Sequence, residues 1–235
     1  MRRWRVLALV VAGLLALPWP IAWLRVALEG NAPSQIFGTS VNGYVEHAHP
    51  IPPWGTGFHT YSILGSALGR QYLDLRVRDA LVAAFAARHV ADPASLFVTG
   101  ESGWPHGGRF RPHKSHENGT SVDIFMPLLD SRGEHVSMQT WPWDKFGYGH
   151  EFDARGNLDE LHIDFEALAA FLFELDAQSR AHGLRIWRVI VAPEYVPLVL
   201  QTQSGQKLGA LGDLLTRKPS WVRHDEHFHV DFEPP

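Results

Sequence analysis

Apolar residues at positions 73, 77, 81 and 84/85 recur at helical spacing and predict an amphipathic helix that begins near Asp74 and stops before Asp92-Pro93. A second helix is predicted from Asp164, a residue able to cap it, through apolar positions 165, 168, 172 and 175 to Gly183. Elsewhere the period shortens. Residues 96–99, 122–126, 186–192 and 228–232 read as strands, and the turn signal at 130–133 suggests a hairpin. Residues 195–200 and 208–215 read as short helices, whereas 31–73 carries no helical period and reads as irregular structure with short strands, and 100–119 and 141–156 read as loops. Strands and helices mix without regular βαβ spacing, so the predicted class is α+β.

The N-terminus follows a different pattern. Arg2, Arg3 and Arg5 precede an uncharged apolar run over 6–17, followed by Pro18 and Pro20, which is the layout of an export signal. Extended to Leu24 the run is just long enough for an uncleaved membrane anchor, and Ala27 and Ala32 are poor cleavage positions. Residues 1–29 are therefore expected to be a signal peptide or N-terminal membrane anchor, and 30–235 a single exported domain.

Composition narrows the chemistry. The chain has 235 residues, 45% of them hydrophobic, which suffices for one domain with its own core. There is no cysteine, which removes thiol nucleophiles and Cys-ligated zinc, but there are 14 histidines. Beyond residue 29 the chain holds 17 basic and 24 acidic residues, a balance near −7 that argues against a nucleic-acid partner.

Two clusters carry the candidate chemistry. In His224-Asp-Glu-His227-Phe-His229-Val-Asp-Phe, a strand places His227 and His229 on one face and Phe228, Val230 and Phe232 on the other. In His113-Lys-Ser-His116-Glu-Asn-Gly119-Thr-Ser-Val-Asp123, the carboxylate of Asp123 falls inside an apolar strand, where it needs compensation. A cation shared with His116 would supply it. So would a capped turn, or Arg109 or Arg111. Gly119 permits the tight turn that lets positions 116 and 123 converge. Two His and one Asp leaving a fourth position open make a catalytic zinc arrangement, because structural sites close all four.

Together with Gly-Trp-Pro-His-Gly-Gly-Arg (103–109) and Phe37-Gly-x-x-x-Asn-Gly43, these motifs resemble the penicillin-insensitive murein endopeptidases. That family sits in the metallopeptidase group of lysostaphin, the D-Ala-D-Ala peptidases and the hedgehog N-domain. The resemblance implies a small central antiparallel sheet carrying the site, flanked by helices. It also implies one Zn2+ per chain on His116, Asp123 and His229, with His227 as general base or transition-state stabiliser. His224 would share that role, and His113 would contact substrate or support the site. The implied activity is hydrolysis of the D-alanyl-meso-diaminopimelyl cross-links of peptidoglycan in the periplasm. Alternatives are a D,D-carboxypeptidase or dipeptidase of the same group, and a non-catalytic zinc- or peptidoglycan-binding module.

Rival motifs are weaker. His47-Ala-His49 has no Asp-bearing strand beside it. A zincin helix would need His at the position of Thr120. Ser204-Gly-Gln-Lys207 matches the Ser-x-x-Lys of penicillin-binding proteins without its companion motifs. Trp141, Trp143 and Tyr148 are candidates for stacking on sugar rings.

Overall fold

In a computed structural model of the chain, the described residues are Trp4, Ala12, Gly13 and 15–234. Arg2, Arg3, Arg5 and most of the apolar run over 6–17 lie outside them, so the expected signal segment is not described as a unit. Among the described residues no helix is long and apolar enough to cross a membrane.

The helices include α1 (Pro18–Ala27), α2 (Ile63–Leu68), α3 (Leu75–Ala91), α4 (Phe165–Ala181) and α5 (Tyr195–Gln201). The two long ones begin where capping chemistry predicts. Asp74 accepts from the Arg76 amide and Asp164 from the Ala167 amide, each cap contributing about 1 kcal/mol.

The main sheet has six strands: β1 (Trp54–Gly55), β2 (Phe58–Thr60), β3 (Phe97–Thr99), β4 (Ser121–Phe125), β5 (Arg185–Ile190) and β6 (His227–Glu233). Their order is β5-β6-β4-β3-β2-β1. The expected small central antiparallel sheet holds for the strands around the site, β5, β6 and β4, but the sheet as a whole is mixed. β2 and β3 pair in parallel. The chain reaches β3 from β2 through α2 and α3, and a helical crossover of that length delivers the next strand in the same direction. Smaller sheets add to it, among them a hairpin of Gln35–Thr39 with Asn42–Glu46, and Leu128–Leu129 paired with His135–Val136 across the predicted turn. α2 was not expected in the irregular stretch, and the predicted helix over 208–215 is a 3-10 segment, Gly209–Leu214.

α3 and α4 pack on each other and on one face of the sheet. Phe171 of α4 lies 4.9 Å from Phe85 of α3, 4.5 Å from Phe97 of β3 and 6.0 Å from Phe228 of β6, ring centre to ring centre. Phe228, Val230 and Phe232 are buried, as the alternation predicts. Their neighbours His227, His229 and Asp231 therefore project from the opposite face.

Candidate metal centre

β4 and β6 are antiparallel neighbours in a register that sets Asp123 directly opposite His229. The loop before β4 then folds back over this face. Gly119, at φ +78°, makes the turn, and a side chain there would meet the Asp74 amide at 2.9 Å. His116 (φ +71°) and His224 (φ +58°) both occupy the left-handed region, uncommon for residues other than glycine and a frequent mark of a functional site.

Four imidazoles surround the buried Asp123 carboxylate. His229 Nδ1 lies 2.8 Å and His116 Nε2 3.2 Å from Oδ1; His113 Nδ1 lies 3.5 Å and His227 Nε2 3.7 Å from Oδ2. Tyr148 donates its hydroxyl to Oδ2 at 3.2 Å. Neither Arg109 nor Arg111 supplies the compensation that the sequence left open. His224 stands beside the cluster, its ring centre 4.7 Å from that of His227. All six residues singled out in the sequence thus converge. His47 and His49 do not: His49 is buried against Glu29 and the Ala32 carbonyl. Ser204 is tied to Glu166, its Oγ 2.5 Å from Oε1.

The second nitrogen of each histidine is held from behind. His116 Nδ1 donates to the Ser102 carbonyl (3.0 Å), His229 Nε2 to Asp231 (3.0 Å), His227 Nδ1 to Glu226 (2.9 Å) and His113 Nε2 to Glu101 (2.6 Å). Such partners fix the tautomer and orientation of metal-binding and catalytic imidazoles. Asp231 accepts in turn from Ser121 Oγ (2.6 Å) and pairs with Arg188; Glu101 pairs with Arg70 and accepts from Tyr61 (2.9 Å).

Electrostatics follow from this packing. Burial opposes charge on Asp123, but the imidazoles ranged around it, His227 and His229 among them, hold it well below the usual carboxylate range. Burial also opposes charge on His229, yet Asp231 and Asp123 outweigh it and raise the imidazole to about 10. His116 goes the other way. Its burial dominates and keeps it neutral, the form that ligates metal. Burial, reinforced by His227, pushes His224 down to about 4.

The donor set fits a small divalent cation. His116 Nε2 is fully buried and makes no well-formed hydrogen bond, although Asp123 Oδ1 lies 3.2 Å away. Imidazole nitrogens and a carboxylate are zinc's ligands, and tetrahedral bonds of about 2.0 Å put ligand atoms roughly 3.3 Å apart, close to the separations around Asp123 Oδ1. Ligand atoms of His113, His116 and Asp123 also lie within 4.8 Å of one another. His113 and His229 therefore both stand where a third ligand would.

A cleft of about 770 Å³ opens beside the cluster, lined by Glu101, His113, Phe146, Tyr148, Trp221 and His227. A smaller one, about 140 Å³, lies against Lys114, Trp221, His224 and His229. Trp141 and Trp143 stack on each other at 5.1 Å in an exposed position and line neither cleft.

Sequence reasoning missed Glu101, Asp231 and the contact of Tyr148 with Asp123. Asp231 was within reach, since the period of two that pairs His227 with His229 continues to it. Glu101 and Tyr148 arrive on loops whose convergence no local pattern announces.

The chain belongs to the penicillin-insensitive murein endopeptidase family, a metallopeptidase family whose profile matches residues 36–235. No curated protein matches the chain significantly.

Proposed function

We propose that this chain is an exported zinc endopeptidase that hydrolyses the D-alanyl-meso-diaminopimelyl cross-links of peptidoglycan, on a scaffold of the hedgehog and D-Ala-D-Ala peptidase kind. The observation that carries the proposal is the convergence of His116 Nε2, without a well-formed hydrogen bond, and His229 Nδ1 on one oxygen of the buried Asp123. These three residues are assigned as the ligands of one Zn2+. His113 is left in a supporting role because it addresses the other carboxylate oxygen and leans on Glu101. When bound, the ion supplies Lewis acidity, polarising the scissile carbonyl and acidifying the attacking water.

The remaining steps fall to the chain's own groups. With Nδ1–H donated to Glu226, His227 presents Nε2 toward the cluster, positioned to accept the water proton and pass it to the leaving amine. His224 donates Nδ1–H to the Val222 carbonyl (2.9 Å) and remains neutral near pH 7, so its Nε2 is a second acceptor for that proton. The two clefts, which adjoin at His113, Trp221 and His227, give room for peptide beside the cluster, as an internal cut requires. The basic and apolar pattern of residues 1–29 supports export to the periplasm, where the substrate lies.

Incubation with cross-linked muropeptide dimers, read by mass, tests the assignment. Cleavage to monomers should persist in excess penicillin, stop with 1,10-phenanthroline and return with zinc. Release of terminal D-alanine without dimer cleavage would mark a carboxypeptidase, and binding without cleavage a murein-binding module.

A further inference from the structure

The solvent side of α1 is apolar, and its one charged residue points inward. Between Leu17 and Leu28 the only charge is Arg25, whose Nε donates to the Ala67 carbonyl at 2.7 Å and whose Nη1 reaches the Tyr72 hydroxyl at 3.3 Å. Trp19, Ile21, Trp23, Leu24 and Leu28 face outward and are exposed. A helix resting in water shows the opposite arrangement, with polar residues outside. The patch continues onto the body of the domain. Trp54 of β1, itself exposed, lies 5.3 Å from Trp19 and 4.7 Å from Trp23, ring centre to ring centre. α2, on which α1 packs, exposes Leu64 and Leu68.

Two features say what covers this surface. α1 follows directly on the apolar run over 6–17, which holds it close to the bilayer. Tryptophan, apolar with one polar N–H, is also the side chain that settles at the level of lipid headgroups. α1 has ten residues, about 15 Å of helix, too short to cross a bilayer but sufficient to lie in its surface.

The same packing bears on processing. Glu29 pairs with Arg78 at 3.0 Å and approaches His49 at 3.4 Å, and Ala22 is buried. Cleavage after Ala27 would remove Arg25 from Ala67 and Tyr72; cleavage after Ala32 would strip Glu29 from Arg78 and His49 as well. We propose that α1 is retained in the exported protein as an interfacial helix and that α1 and Trp54 together seat the domain on the lipid bilayer. This stands independently of the chemistry at Asp123.

The absence of cysteine makes the test clean. Single-cysteine variants Trp54→Cys and Trp187→Cys of the full chain, the latter on β5 at the opposite edge of the main sheet, carry an environment-sensitive fluorophore. They are mixed with vesicles of phosphatidylethanolamine and phosphatidylglycerol. Binding should shift the emission at 54 to the blue and cut its iodide quenching several-fold, leaving 187 unchanged. Adding Trp19→Ser and Trp23→Ser should restore the quenching at 54. Equal quenching of both sites on vesicle-bound protein would overturn the proposal, because the N-terminal run alone would then be the tether. So would protection of 54 without lipid, which would mark a protein interface. Intact protein recovered from membranes of an exporting cell should contain residues 18–29, and an N-terminus beyond 29 would overturn retention.

Discussion

Glu101 holds His113 from behind, its Oε2 2.6 Å from Nε2, while Nδ1 of the same ring faces Asp123. Burial works against a charge on Glu101, but hydrogen bonds from Arg70 and His113 outweigh it and bring the carboxyl down to about 2. The imidazole is therefore fixed with its donor spent on Glu101 and its other nitrogen turned to the site.

Glu101→Gln should keep the zinc and lose turnover. Removing a group that orients a site histidine costs roughly 10- to 100-fold, and the loss should appear in kcat on muropeptide dimers, with metal content unchanged at one per chain. Loss of zinc in this variant would instead make His113 a ligand.

Tyr148 joins the 141–156 loop to the site, accepting from the Glu101 amide at 2.8 Å and donating to Asp123 Oδ2. Tyr148→Phe deletes only the hydroxyl. Zinc affinity, measured by competition with a chromophoric chelator, should fall by roughly tenfold, as for other outer partners of ligating carboxylates. An unchanged affinity would show that the tyrosine serves packing alone.

The pH dependence of the metal-free protein follows from His229. Its folded value of about 10 exceeds the ordinary 6.5, so the folded state binds the extra proton. The resulting stability is complete below about pH 6.5 and is lost as pH rises toward 10. Zinc would compete for the same Nδ1. Calorimetry in two buffers of different ionisation enthalpy should therefore show close to one proton released on zinc binding at pH 8, whereas His229→Ala, short of a ligand, should show no zinc-binding heat. Urea unfolding of the metal-free protein should show stability falling from pH 7 to 10, a slope absent from that variant.

Much of this site was legible because strand periodicity acts locally. Asp123 between Val122 and Ile124, and His227 and His229 between Phe228 and Val230, declare which face they occupy before any pairing is known. Asp74 and Asp164 likewise announce the helices they cap. α2 was hidden because Gly65 and Ser66 inside it are poor helix formers and its start rests on one hydrogen bond, from the Gly65 amide to Ser62 Oγ. The parallel pairing of β2 with β3, and the approach of Glu101 and Tyr148 to the histidines, depend on where loops close in space. Side-chain spacing along one element carries no record of that.

The ligand assignment is tested most directly by zinc content in a set of purified, folded single variants, measured by mass spectrometry after equilibration with limiting metal. His116→Ala, Asp123→Ala and His229→Ala should each retain essentially none, whereas His113→Ala, His224→Ala and His227→Ala should retain one zinc per chain and lose turnover. Full zinc in His229→Ala together with none in His113→Ala would move the third ligand to His113, and full zinc in Asp123→Ala would contradict a metal centre built on that carboxylate.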